Sequence, residues 1–386
     1  MQCESEQWGF LLCATELSFI RRLYPERVIF AKHRLMLIQV PILHFMQNIQ
    51  DKTMTLKRST SPITALCAGL FMSHAAWANS LPAGCDMREQ AHIPLRFADD
   101  LRPVGEATIN GSIVPAMLST GAGESLVFNQ KILERLGIEV RHTTSKLDVE
   151  DARNPTNVDL YVDFSHANIK DFSIGPVKGK GGTYKVENFT DDTYGVRVGA
   201  GMLLQNDLEI ALDAGYLKSF NPTGCIGAHL AYWDPQAVSV LAMWDPWKRD
   251  ARVVFTATIG GKPIHALLST ATPYSYVPKA AAVRLGLTPD SPGATREAPL
   301  PGHAADKPVW KLPVPLMSIG QLEVKDLDLR LMDLSHEGEV LVLGADFLHR
   351  HRVYVAMEQK RIYFSPITTP QPRKRGSVQV IPQALN

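Results

Sequence analysis

The chain has 386 residues, 45% of them hydrophobic and 20% charged, with 27 glycines, 26 prolines and a formal net charge of +1. This composition excludes a disordered or fibrous chain, and the length leaves room for two domains, each with its own core. Near-neutral charge with dispersed basic residues excludes the electrostatic footprint of a nucleic-acid binder, so no nucleic acid is expected as partner.

Met54 opens a candidate secretory signal: Lys57 and Arg58, an apolar run from Ile63 to Met72, then Ala76-Trp77-Ala78 as a small-x-small cleavage site. The run is too short to anchor in a bilayer, so no stable membrane span is expected once the signal is removed. Residues 1–53 read as an upstream, non-native extension, with Met54 the true start. Residues 54–78 read as the signal peptide, and the mature chain is expected to be periplasmic or secreted. Cys3, Cys13 and Cys67 go with the leader, which leaves Cys85 and Cys225 in an oxidising compartment. A disulfide between them is expected to tie together the two ends of the first domain.

Beyond the leader the chain repeats itself. Ala107–Thr120 (ATINGSIVPAMLST) and Ala257–Thr270 (ATIGGKPIHALLST) are one motif written twice, 257 − 107 = 150 residues apart. Arg135-Leu136-Gly137 recurs at Arg284-Leu285-Gly286, Ser173-Ile174-Gly175 at Ser318-Ile319-Gly320, and Gly199-Ala200 at Gly344-Ala345, in the same order and at nearly the same spacing. An ordered series of this kind marks an internal duplication. Each motif reads as a β-hairpin feeding an apolar strand that ends in a short polar loop, Ser119-Thr120-Gly121-Ala122 or Ser269-Thr270-Ala271-Thr272. Alternating runs such as Val158–Phe164 and Leu322–Met332 read as half-buried strands, and Asn129–Leu136 and Pro278–Leu285 as the clearest helices. The domains are expected at 79–225 and 251–366, joined by a Pro- and Trp-bearing connection over 226–250 with Trp233, Trp244 and Trp247. A solvated tail follows from 367 to 386. His349, Arg350, His351 and Arg352 read as a solvated edge and make no metal-ligand set, and neither a metal nor a cofactor is expected.

These residues resemble the two-lobed retropepsin-like members of the aspartic peptidase family, over about residues 92–365. The resemblance rests on the two apolar strand-loop motifs, the helices ending in Leu-Gly, and the closing segment Leu343-Gly344-Ala345-Asp346-Phe347-Leu348 with its following strands. It implies an all-β fold of two homologous acid-protease barrel lobes in one chain. It also implies a flap over each lobe, at Ser145–Val158 and Gly293–Ala305, and a cleft that binds extended peptide or protein segments. Two lobes in one chain make a monomer the expected state. In the family, Thr120 and Thr270 would interlock the two loops.

The departure is chemical. The positions where the family places its catalytic aspartates hold Ser119 and Ser269. Two carboxylates sharing a proton activate water and protonate the carbonyl in that chemistry, and a serine pair lacks this function. Lobe one also has Gly201 where lobe two has Asp346. The reading that follows is an exported, non-catalytic homologue that binds a peptide in its cleft. Two alternatives remain: an active aspartyl-type peptidase using a displaced carboxylate such as Glu124, or a structural envelope-associated protein.

Overall fold

The computed structural model describes residues 81–149, 158–243, 250–298, 308–333 and 339–368. The expected leader, most of the first candidate flap, residues 299–305 of the second, Trp244, Trp247 and the tail beyond Thr368 lie outside the described residues. The described residues belong to one compact unit spanning Ala75–Asn386, and the fold is all-β, built from three sheets.

In the seven-stranded sheet, Val254–Ile259 pairs with Lys262–Leu268, followed in order by Val340–Leu343, Tyr276–Pro278, Leu322–Met332 and Val309–Ile319. Val309–Ile319 pairs back onto Val254–Ile259, so six strands close into a barrel, with Thr295–Glu297 added at its side. Closure removes the unpaired edges that an open sheet would expose. The ten-stranded sheet repeats the order with Pro103–Ile109, Ser112–Ser119, Val196–Gly199, Leu126–Asn129, Gly182–Glu187 and Val158–Ile169. Here the long hairpin is broken near Lys170–Asp171. The short strand Phe172–Ile174 makes the return pairing to Pro103–Ile109.

Local sequence explains the shared hairpins. Asn110-Gly111 and Gly260-Gly261 all sit at positive φ (48°, 81°, 55° and 76°), as a two-residue turn matched to strand twist requires. Ile109, Val114, Ala116 and Leu118, and likewise Phe255, Ala257, Ile264 and Ala266, alternate into the core at no more than 3% exposure where Ile259 is included. The two expected helices form at Gln130–Arg135 and Lys279–Leu285. The first is capped by Asn129, whose side chain accepts from the Lys131 amide.

The third sheet joins the two halves. Its order is Asp86–Pro94, Tyr216–Thr223, Asp207–Ala211, His351–Ala356, Arg361–Pro366 and Val238–Leu241. Asp207–Ala211 and His351–Ala356 meet at its centre, with Leu208 opposite Val355 and Ile210 opposite Val353. The Cys85–Cys225 disulfide forms as expected, with its Cα atoms 4.4 Å apart, beside the paired residues Asp86 and Thr223. Within the expected connection, Val238–Leu241 is a strand pairing with Arg361–Pro366 rather than part of a loop.

The solvated edge expected at His349–Arg352 is overturned for His349, His351 and Arg352, while Arg350 is exposed. His349 and His351 are buried, and burial pushes the His351 imidazole down to about 4. Arg352 donates from Nε to the fully buried Glu209 at 2.7 Å and stacks on Trp233, 4.2 Å from the ring centroid. Tyr216 and Tyr232 donate to the two Glu209 oxygens at 3.0 and 2.8 Å. A buried carboxylate is tolerated when its lone pairs are satisfied in this way.

Candidate active-site cleft

The two motif loops meet back to back. Ser112–Ser119 runs buried beside Val196–Gly199, and Lys262–Leu268 runs beside Val340–Leu343, so each strand delivers its loop from a rigid core. The Thr120 amide donates to Thr270 Oγ1 at 3.1 Å, and the Thr270 amide returns the bond to Thr120 Oγ1 at 3.2 Å. Each hydroxyl then donates across to the opposite strand, Thr120 Oγ1 to the Leu268 carbonyl at 2.8 Å and Thr270 Oγ1 to the Leu118 carbonyl. A hydroxyl that donates and accepts at once suits this symmetric lock.

Close backbone approach holds each loop against its closing segment. The Ala200 amide donates to the Ala122 carbonyl and the Ala345 amide to the Thr272 carbonyl, both at 2.7 Å. A Cβ at Gly199 would fall 1.9 Å from the Glu124 carbonyl oxygen, and one at Gly344 would fall 2.7 Å from that of Thr272. The paired Gly-Ala steps in the sequence therefore reflect a steric requirement.

The lock places Ser119 and Ser269 at the loop starts, 5% and 4% exposed. Ser269 Oγ shares a hydrogen bond with Thr272 Oγ1 at 2.6 Å. Gly121 from the first loop lies so close that a Cβ there would sit 2.5 Å from Ser269 Oγ. Ala271 stands half-buried between Thr270 and Thr272. Above Ser269 opens a cavity of about 440 Å³ walled by Val254, Leu267, Tyr276, Val340 and Val342, with Gly121, Thr272, Asp250 and Arg252 at its polar margin. That volume is within the ~300–1,000 Å³ common for ligand pockets.

Asp250 and Arg252 were not singled out from the sequence. Arg252 donates from its amide and its Nε to Asp250 Oδ1, at 2.9 and 3.0 Å, and a second contact from Nη2 reaches Oδ2 at 2.6 Å. These bonds hold the Asp250 carboxyl below its ordinary range. Arg102 makes the matching bond to Asp100, from Nε to Oδ2 at 2.7 Å. The signal was present in the sequence, since Asp-x-Arg recurs at 250 − 100 = 150 residues, the offset of the motif itself.

Other carboxylates near the loops are committed. Glu124 pairs with Lys185 at 3.5 Å and Arg197 at 3.6 Å and does not line the cavity. Asp346, its pKa raised by burial, accepts from the Ser275 amide at 2.9 Å, Ser275 Oγ at 2.7 Å and the Phe347 amide at 2.8 Å. It clasps the closing segment to the loop. At the corresponding Gly201, a Cβ would meet Ser125 Oγ at 2.5 Å, so Ser125 would have to shift to admit an aspartate there.

A family model of aspartyl proteases matches residues 255–347, from the strand before the Ser269 loop to the closing segment. The chain has an aspartyl protease-like fold. No curated protein sequence matches the chain. Within the match, the six-stranded barrel, the Thr270 lock and the Gly344 approach carry this likeness in three dimensions.

Proposed function

We propose that the chain is an exported, non-catalytic relative of the aspartic peptidases that holds an extended peptide or protein segment in the cleft between two lobes. The observation that carries this reading is the pair Ser119 and Ser269 at the starts of interlocked loops. The scaffold that would present two carboxylates is retained while the carboxylates themselves are replaced by hydroxyls. Among the described residues no acid pair near the loops substitutes for it: Asp250 is held by Arg252 with its carboxyl below the ordinary range, and Asp346 is consumed by three donors. A serine hydroxyl needs an adjacent base to act as nucleophile, and Ser269 has Thr272 instead. Peptide binding by strand pairing does not require the carboxylates.

The disulfide supports an oxidising compartment, and among the described residues no helix is long and apolar enough to cross a membrane. A monomer fits this reading, because one chain supplies both loops. The test is hydrolysis of a randomised peptide pool from pH 3 to 8 by the native chain and by the Ser119→Asp/Ser269→Asp variant. Silence from the native chain with cutting by the variant supports the proposal, whereas cutting by the native chain overturns it.

A further inference from the structure

Arg330 is a buried cation that none of the preceding chemistry uses. It is 9% exposed, on the strand Leu322–Met332, where Leu329 and Leu331 on either side are core residues. A guanidinium so placed must be paired to be tolerated. Arg330 reaches across the strand Val309–Ile319 to Thr295–Glu297, the last strand of the seven-stranded sheet. There it donates from Nε to Glu297 Oε2 at 3.0 Å and from Nη2 to Glu297 Oε1 at 3.3 Å. Two parallel bonds fix direction as well as distance. Val309, opposite Glu297 in register, is 3% exposed, although alternation puts it on the same face as Lys311, which stands opposite Arg330. The guanidinium also lies over the Tyr274 ring, 4.0 Å from its centroid. Tyr274 belongs to the segment that leaves the Ser269 loop. Next to it, the Ser275 carbonyl accepts from the Arg330 amide at 2.9 Å, and Ser275 Oγ accepts from the Gly344 amide at 3.0 Å. One residue therefore ties the last strand of the barrel to the segment behind the loop.

The first half handles the same place differently. Lys185 precedes Val186, which pairs with Phe128, as Arg330 precedes Leu331, which pairs with Val277, and 330 − 185 = 145 is the offset of the later repeats. Glu124 stands at the Tyr274 position, 274 − 124 = 150 residues earlier. Lys185 pairs with Glu187 on its own strand at 2.6 Å and with Glu124 at 3.5 Å. In the second half the cation points outward instead, to a carboxylate two strands away.

We infer that Arg330 is a positioning residue of the cleft: through Glu297 and Tyr274 it holds the strand Thr295–Glu297 at a fixed place relative to the Ser269 loop. That strand is the part of the second expected flap whose partners are known, and Arg330 itself touches no ligand. The role needs an arginine. Lysine brings a point charge that can neither make the paired bonds to one carboxylate nor stack its plane on a ring. The consequence for binding rests on the proposed peptide-binding cleft, whereas the hold on the strand is measurable without a ligand.

The test is amide hydrogen exchange, followed by mass spectrometry, on the full disulfide-bonded chain and on Arg330→Lys and Glu297→Ala. Glu297→Ala removes the other end of the contact and leaves the buried strand untouched, so it reads the hold even if Arg330→Lys folds poorly. In both variants the amides of Thr295–Glu297 are expected to exchange about ten-fold faster, as for loss of a charge-assisted bond. Val254–Ile259 and Val340–Leu343 are expected to keep their native rates, which a general loss of stability would not allow. Unchanged exchange at Thr295–Glu297, or equal acceleration in all three strands, overturns the inference. The same three proteins are then incubated with a randomised peptide pool and separated by size exclusion. Retention by the native chain that falls about ten-fold in both variants supports the role in binding, and retention equal in all three overturns it. If the native chain retains no peptide, the peptide-binding reading fails, and the exchange rates still decide whether Arg330 holds the strand.

Discussion

The cross-loop lock makes a quantitative demand on Thr120. Replacing it by the isosteric Val removes one hydroxyl that both accepts from the Thr270 amide and donates to the Leu268 carbonyl. The first loss strands a buried N–H, worth about 1–3 kcal/mol, and the second removes one net hydrogen bond, worth about 0.5–1.5 kcal/mol. Together they give about 2–4 kcal/mol. Thr120→Ser keeps the hydroxyl and deletes one methyl group, worth about 1 kcal/mol in a buried site. Urea unfolding of the disulfide-bonded chain, followed by tryptophan fluorescence, measures both. The valine variant is expected to unfold at clearly lower urea than the serine variant. If the two lie within about 0.5 kcal/mol of each other, the lock contributes shape rather than hydrogen bonding, and the reasoning fails.

Three further outcomes are expected. Burial pushes the Asp207 carboxyl up to about 6, although it accepts from the Met357 amide and the Tyr354 hydroxyl. The folded chain thus binds this proton more tightly than the unfolded chain, a stabilisation complete below pH ~4 and lost as pH rises through ~6, amounting to roughly 2–3 kcal/mol. Asp207→Asn should flatten the stability profile over that window, and an unchanged slope in denaturation at pH 4, 5, 6 and 7 contradicts this. Glu209→Ala leaves the Arg352 guanidinium without its buried carboxylate and is expected to cost about 3–5 kcal/mol in thermal or urea unfolding, against a small loss for an exposed control such as Glu323→Ala. Opening Cys85–Cys225, which closes a sequence separation of 140, is expected to lower stability by about 2–5 kcal/mol, read by comparing the native chain with Cys85→Ser/Cys225→Ser.

Much of the fold was legible because it is duplicated. An ordered repeat picked out Thr120 and Thr270, the hairpin glycines and the closing Gly-Ala steps, each of which serves the same local geometry twice. The disulfide was legible from the expected export and the cysteine count. Other features were hidden because they depend on contacts distant in sequence. Val238–Leu241 lacks strong alternation and becomes a strand only by pairing with Arg361–Pro366. His351 and Arg352 look solvated by residue type, but Glu209, 143 residues away, holds Arg352 in a buried network. Phe189 and Tyr194 flank a polar stretch, and only the fold shows them buried in one cluster with Val104 and Val127. The Asp-x-Arg pair was missed although its offset matched, because two charged residues before a strand carry little signal by themselves.

The most direct measurement is retention without cleavage. The native chain would be incubated with a randomised peptide pool at pH 4 and pH 7, separated by size exclusion, and the co-eluting peptides identified by mass spectrometry. The expected result is intact retained peptides, lost when Val340→Trp fills the cavity. Cleaved products at either pH, or no retained peptide at all, would contradict a non-catalytic peptide-binding cleft.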